Sequence, residues 1–389
     1  MARWRALGCD TAKLKDENHV TKVLFVVSSL RICGPVVVLH GIAQHLRETG
    51  FEASILTLSP EPKSSMRGDF EALGFDISCL GLKKRNPFIP LRKIRMHIEE
   101  NGVDLLHSHG PRPDLIASKL RNFLPVVTTI HGNPLEDYPL RFGKVAGGLA
   151  ARWHLKSLKA IRNRVSISKS DEASLARRAG LSTTVINNGV DLNALSSASS
   201  AEKSALRHQL GISSDAPVVV VAGTFSPRKD QATAIEAFKR LPAGSASLVL
   251  VGHSGPCLQQ CREAAKGVGN LHVLPDVESP IPFMRLADIY LSTSMSEGFG
   301  LNVVEALACG LPPILSDIPP HRELLEPGPG LAKYFTPGDA DELATQLLRV
   351  LESLPSDPTR SVEISQSYSS KLMSQRYQQL YRSLDKAIG

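Results

Sequence analysis

Short runs rich in Val and Ile alternate with helical stretches along most of the chain, and this alternation narrows the fold more than any other feature. The first half carries "VTKVLFVVSSL", "EASILTL", "DLLHSHG", "PVVTTIHG" and "RVSISKS". The second carries "APVVVVAGTF", "ASLVLVGH", "NLHVLP", "ADIYLSTS" and "LPPILSDI". Strands that are apolar at successive positions are buried on both faces, as in parallel sheets covered by helices. Between the two series lies "TTVINNGVDLNALSSASSAEKS", a turn followed by a Ser/Ala-rich stretch that reads as a linker. A chain of 389 residues also exceeds one ordinary domain. The expectation is two doubly wound α/β domains, 21–190 and 191–365, after a loose extension at 1–20. Residues 366–389 are expected to form a helix packing back toward the first domain. Open parallel sheets bind ligands beyond the carboxyl ends of their strands, so the chemistry belongs in the cleft between the domains.

Composition excludes several classes. No apolar run approaches the roughly 20 residues of a membrane span, and the start lacks the apolar centre of a secretory signal, so a cytoplasmic protein is expected. The six cysteines are too scattered for a disulfide framework, and Cys257 and Cys261 have no second pair at zinc-like spacing. The net charge of +7 is uneven: residues 1–191 hold 28 Lys and Arg against 18 Asp and Glu, residues 192–389 hold 17 against 20. A basic first half points to an anionic partner such as nucleic acid, a membrane surface or an acidic acceptor.

The second half holds the sharper motif, "ADIYLSTSMSEGFGLNVVEALACGLP". A strand ends near Ser294, a loop carries Ser296 to Gly300, and a helix is expected from Leu301 to about Cys309, stopped by Gly310 and Pro312. Gly298 and Gly300 let backbone approach a ligand closely, and the free amides at the helix start suit a phosphate. Glu305 lies in a helix that is apolar nearly all round, where an unpartnered carboxylate is costly. A ribose, with two vicinal hydroxyls to donate, would satisfy it. A wet edge or a pairing with Arg is the alternative.

Glu297 and Glu305 resemble the E-x7-E motif of retaining glycosyltransferases with the GT-B fold, glycosyltransferase family four in particular. The resemblance runs from about residue 22 to 350 through "CGPVVVLHGIAQHLRETGFE", "DLLHSHG", "TTIHG", "VINNGVD", "GTFSPRKDQATAIEAF", "LVLVGHSGP", "NLHVLP" and "PFMRLADIYLSTS", in the family's order. It implies transfer of a sugar from a UDP- or GDP-linked donor, held by the second domain, to a glycan or lipid-linked acceptor at the first. Bacterial surface polysaccharide or lipopolysaccharide assembly is the implied setting. Retention implies attack on the face from which the nucleotide leaves, with a donor phosphate oxygen helping to deprotonate the acceptor.

The resemblance also assigns roles. Glu305 would hold the donor ribose, and Glu297 the donor sugar hydroxyls, helped by the amides of Gly298, Phe299, Gly300 and Leu301. Lys229 would stabilise the leaving diphosphate. The family places an Arg directly after the first glycine of "GTFSPRKD"; here that residue is Thr224, and Arg228 is the candidate replacement. Read alone, Arg228 and Lys229 suit a solvated loop better. His131 would reach the donor sugar, and His109 would be scaffold or cleft wall. Gly34 matches a glycine loop near the phosphates and acceptor, with Cys33 in place of the usual preceding glycine. Asn187 stands where a proline is usual, and Asn188 and Gly189 suit a tight turn. The loop "VGHSGP" would wrap the base or simply join a strand to a helix, Gly252 and Gly255 fitting either.

Asp339-Ala340-Asp341 matches the letters of a metal-binding motif but sits at a helix start, where acids suit the dipole. Neither a catalytic metal nor a cofactor is expected. "KKRNPFIPLRKIR" and a series from Arg141 through Lys144, Arg152, Lys156, Lys159 and Arg162 to Arg164 would dock on anionic lipid or a phosphorylated acceptor, or be solvated helix faces with Leu91, Ile94 and Ile98 as a core stripe. Nucleic acid is not expected as a partner, because few aromatics accompany the charge. A nicotinamide dehydrogenase is disfavoured by the missing G-x-G-x-x-G. A sugar-nucleotide epimerase or a non-catalytic sugar-nucleotide-binding subunit remains an alternative.

Overall fold

The computed structural model describes residues 20–46, 49–83, 89–195, 198–354 and 357–385, and its strands form two parallel sheets. The first contains β1 (Thr21–Val27), β2 (Phe51–Thr57), β3 (Asp76–Cys79), β4 (Leu105–His109), β5 (Val126–Ile130), β6 (Asn163–Ser166) and β7 (Thr184–Val185), in the order β3-β2-β1-β4-β5-β6-β7. The second contains β8 (Val218–Ala222), β9 (Ser247–Gly252), β10 (Leu271–Pro275), β11 (Ile289–Ser292), β12 (Pro313–Ser316) and β13 (Lys333–Phe335), in the order β10-β9-β8-β11-β12-β13. Apart from Val20, the extension expected over 1–20 lies outside the described residues.

The unbroken apolar strands serve two cores each. In β1, Val23, Phe25 and Val27 enter one core while Leu24 and Val26 enter the core on the opposite face. In β8, Val218, Val220 and Ala222 face one core and Val219 and Val221 the other. Successive side chains point to opposite faces of a strand, so only sheets covered on both sides need this pattern. Two Rossmann-like α/β domains therefore pack across a cleft.

Each sheet reverses its winding once, between β1 and β4 and between β8 and β11. The chain diverges there above the carboxyl ends of the strands and leaves a crevice. The end of β4 brings His109, and the loops after β1 and β5 bring Gly34 and His131, to one side of the cleft. Those after β8 and β11 bring Arg228, Lys229 and Glu297 to the other.

The chain crosses between domains twice, side by side. Val190 N–H donates to Tyr368 O at 2.9 Å, and Ser370 N–H to Val190 O at 2.8 Å. Gly189 is a product of this crossing rather than of a local turn, because a Cβ there would stand 2.4 Å from Ser369 O. Asn187 is likewise a cross-domain tie: its Nδ2 donates to Glu323 Oε1, which also receives Lys169 N–H. After the second crossing the Ser370–Asp385 helix packs on the Gly34–Ala43 helix, with Met373, Tyr377 and Tyr381 buried in the first domain's core.

The Leu91–Glu100 helix buries Ile94 and Ile98 and leaves Leu91 half-buried, so the stripe faces the core. Residues 84–88 of the preceding basic run lie outside the described residues. Asp339 Oδ1 accepts from the amides of Asp341 and Glu342 at the start of the Ala340–Glu352 helix, so this acidic pair caps a helix.

Candidate active site

Adjacency of β8 and β11 brings "GTFSPRKD" onto "TSMSEGFG". Thr293 Oγ1 donates to Lys229 O at 2.9 Å and Met295 N–H to Arg228 O at 2.8 Å, so the second loop is tied to the backbone carbonyls of the first. Gly223, with φ of 152°, lies under the Lys229 stem: a Cβ there would stand 2.9 Å from Lys229 Cε. The glycine of the motif therefore gives its lysine a path into the cleft.

Glu297 is the centre of this side. Its Oε1 accepts from Lys229 Nζ at 2.5 Å and from Ser294 Oγ at 2.7 Å; its Oε2 accepts from Arg228 Nη1 at 2.5 Å. Burial opposes ionisation, but Lys229 and Arg228 together outweigh it and hold this carboxyl well below the usual range. Glu297, expected to hold the donor sugar hydroxyls, is thus held here by two protein cations and a serine. Arg228 and Lys229 are not a solvated loop; Arg228 also donates to Ser296 O at 3.0 Å.

Glu305 differs. It projects from the Leu301–Ala308 helix and is half-buried, and its Oε2 is shut off from solvent with no hydrogen-bond partner. Burial pushes its pKa up to about 7, against the opposing pull of Lys229. A buried acceptor without a donor is the feature a ligand hydroxyl would satisfy.

The loop between the two glutamates packs against the first domain. Gly300 has φ of 104°, caps the helix and would carry a Cβ 3.0 Å from Leu324 Cδ1. A Cβ on Gly298 would meet Ile167, Asp171 Oδ2 and the Cα of Gly132 at 3.1 to 3.2 Å, and Ser168 Oγ donates to Gly298 O at 2.7 Å. Phe299 turns its ring into the core against Tyr368, leaving only backbone to serve a ligand. Gly34 faces Leu301 across the cleft, with room for a Cβ 3.9 Å from Leu301 Cδ1.

His131 follows β5, and its Nε2 is hydrogen-bonded to Nδ1 of buried His109 at 2.8 Å, the rings stacked with centroids 5.1 Å apart. His109 therefore buttresses His131. Behind them His107 Nδ1 bonds Tyr381 Oη at 2.7 Å and His107 Nε2 bonds Thr129 Oγ1 at 2.8 Å. Burial lowers the pKa of His131 to about 4 despite the pull of Asp114, and that of His107 to about 3. Both imidazoles are neutral near pH 7.

Four residues of the site escaped the sequence reading. Asp137, in the first turn of the Pro134–Phe142 helix, has its pKa raised to about 6 by burial, opposed by Arg228 and reinforced by Glu297, so it faces the Arg228 pair across the cleft. Asp171 keeps an unpartnered buried Oδ2 against Gly298. Both look in sequence like acids that favour a helix start. His321 is buried beside Gly300, its Nδ1 2.8 Å from Ser316 O. Glu323 joins the domains by accepting from the amides of Lys169 and Ser170. A buried-helix "HREL" marks neither in advance.

The glycine-rich "VGHSGP" loop is explained by packing. A Cβ on Gly252 would stand 2.1 Å from Gly223 O, and one on Gly255 2.2 Å from Phe225 O. The close approach is to the chain's own 223–225 loop. Among the described residues no three His, Cys, Asp or Glu side chains group as a metal site.

Two family models match the halves in turn. Residues 32–194 match Glycosyltransferase Family 4, and residues 202–364 match Glycosyl transferases group 1. The chain is a GT-B glycosyltransferase. It is 28% identical over 326 residues to a phosphatidyl-myo-inositol mannosyltransferase of Mycolicibacterium smegmatis, covering 80% of this chain and 79% of that one. It is 25% identical over 315 residues to the O-antigen biosynthesis glycosyltransferase WclY of Escherichia coli, covering 78% and 82%. Among solved structures, the fold of this glycosyltransferase matches sucrose-phosphate synthase from Thermosynechococcus elongatus, with a TM-score of 0.79, 19% identity and coverage of 94% and 100%. It also matches HepE from Anabaena in complex with UDP, with a TM-score of 0.78, 22% identity and coverage of 93% and 100%. Transfer from a nucleotide-diphosphate sugar is the activity of this class, and the Arg228–Glu297–Lys229 group lies beyond the carboxyl ends of β8 and β11.

Proposed function

We propose that the enzyme is a retaining hexosyltransferase that moves a sugar from a UDP- or GDP-linked donor to a glycan or lipid-linked acceptor. The observation that carries the donor assignment is Glu305 Oε2, a buried acceptor atom without a donor at the end of the crevice. A ribose supplies two hydroxyls to such a carboxylate.

In this reading the diphosphate competes with Glu297 for Arg228 and Lys229, and Glu297 turns to the hydroxyls of the donor sugar. The two cations stabilise the charge that grows on the leaving diphosphate, and the amides of Gly298 to Leu301 add to it. The acceptor oxygen bonds to the anomeric carbon as the bond to the phosphate oxygen breaks. Its proton passes to an oxygen of the departing diphosphate, so no protein base takes part. His131, neutral and braced by His109, contacts the donor sugar from the first domain. No metal or cofactor is invoked, since Arg228 and Lys229 supply the charge. The setting proposed is the cytoplasmic side of a membrane during surface polysaccharide or lipopolysaccharide assembly, which the names of the relatives support.

The deciding experiment is release of nucleotide diphosphate from a panel of sugar nucleotides, with and without lipid-linked acceptors. A glycosylated product that keeps the donor's anomeric configuration supports the reading. An epimerised sugar without transfer, or binding without turnover, would replace it with one of the two alternatives.

A further inference from the structure

The Lys144–Ala160 helix is apolar on two faces and only one of them is covered. Gly147, Ala151, His154, Leu155 and Leu158 pack inward. On the opposite side Val145, Leu149 and Trp153 are 79%, 62% and 46% exposed, and Leu140 and Phe142 of the preceding helix continue the ridge at 52% and 51%. Five of the nine exposed large apolar side chains among the described residues thus lie within fourteen positions, where isolated ones would be unremarkable.

The charge around this ridge has one sign. Between Asp137 and Asp171 the sequence contains no Asp or Glu and eight Lys or Arg. Arg152, Lys156 and Lys159 are exposed on the same side of the helix as Val145 and Leu149, with Arg141 and Lys144 exposed at its start. The platform is rigid, because Gly147 crosses the preceding helix so closely that a Cβ would stand 2.3 Å from Tyr138 O.

We propose that this face is a docking surface for an anionic membrane, Leu140, Phe142, Val145, Leu149 and Trp153 entering the acyl boundary and the cations meeting the headgroups. An apolar ridge with cations along its flank matches the two attractions that hold interfacial helices to anionic lipid. A second copy of this chain fits it poorly, since a twofold contact would press like charges together. The ridge also continues a helix whose first turn holds Asp137 at the cleft, so docking would bring the cleft mouth close to the bilayer.

The test is sedimentation of the full chain with vesicles of phosphatidylcholine alone or mixed with phosphatidylglycerol. Two variants accompany it, Val145→Ser/Leu149→Ser/Trp153→Ser and Arg152→Gln/Lys156→Gln, whose fold is checked by circular dichroism. The tryptophans are Trp4 and Trp153, so Trp4→Phe leaves Trp153 as sole reporter. Expected results are binding to the anionic vesicles only, a blue shift of Trp153 emission on binding, and a loss of roughly thirtyfold in partition when the two cations are removed. Absence of binding, equal binding to neutral vesicles, or full retention in both variants would overturn the proposal. A dimer in solution that the ridge variant converts to monomer would also overturn it, giving the face to a second copy.

Discussion

Lys229 Nζ stands 2.5 Å from Glu297 Oε1, so the cation assigned to the diphosphate is held by the carboxylate assigned to the sugar. Both side chains are almost buried, at 12% and 7% exposure, which makes the pair sensitive to loss of either member. Removing one partner of a buried pair costs about 3–5 kcal/mol, because the other charge stays buried without compensation. Glu297→Ala should destabilise on that scale in urea unfolding; Lys229→Met should cost less, because Arg228 and Ser294 still hold Glu297, and the double variant should lose less than the sum. Additive losses would show that the pair is not coupled. Glu297→Gln should lower turnover more than donor affinity, read as kcat against the Kd of the nucleotide sugar.

Glu305 predicts a dependence on pH. Its folded pKa of about 7 lies above the ordinary carboxyl value of 4.5, so between these values the folded chain holds a proton that the unfolded chain has released. This contribution to stability is complete below pH 4.5 and is lost as pH rises through 7, a change of up to roughly 3 kcal/mol. Glu305→Gln should remove that slope from a series of urea midpoints, measured against wild type. Ribose hydroxyls favour the carboxylate, so donor binding near pH 7 should release a proton in wild type alone. Calorimetry in buffers of different ionisation enthalpy reads this directly. Glu305→Ala should weaken donor binding by roughly tenfold or more, the worth of hydrogen bonds to a charged group.

How much of this was legible beforehand follows from what each feature depends on. The double-faced apolar strands are a local pattern, so β1 and β8 and the two-sheet architecture could be read from spacing. Glu305 stood out because its neighbours along one short helix are apolar. The Glu297–Lys229 pair was not legible, since it joins residues 68 positions apart and requires β11 to lie beside β8. Strand order leaves no mark in composition. Asp137 was hidden by a sufficient local explanation, an acid in a first helical turn, although its setting comes from the opposite domain. The His107–Tyr381 bond spans 274 positions and had no signal at all.

The glycines of "VGHSGP" separate packing from binding. Gly252 has φ of 152° and touches the backbone of Gly223, which cannot move without disturbing the Lys229 stem beside it. Gly252→Ala should therefore lower the melting temperature and turnover together. Gly269→Ala has open space around its Cβ and is the control; it should do neither. If Gly252→Ala kept its stability and lost only affinity for the base, the loop would be a binding element and the packing account would fail.

The last prediction concerns the Ser370–Asp385 helix, which returns from the second domain to close the core of the first. Tyr381 is fully buried, and its hydroxyl bonds His107 Nδ1, while Tyr377 Oη bonds Thr129 Oγ1 at 2.8 Å. Thr129 also bonds His107, so the two tyrosines end in the stack of imidazoles behind His131. Tyr381→Phe keeps the ring and removes one hydrogen bond, at a cost of about 1 kcal/mol. Tyr381→Ala opens a cavity beside Phe51 and should cost about 3–5 kcal/mol. If the helix also steadies His131, Tyr381→Phe should lower kcat at saturating donor without changing the Kd for donor, which the second domain holds. A fall in donor affinity matching the fall in kcat would instead mean that the helix sets how the two domains meet, since it starts at the crossing where Val190 pairs with Ser369.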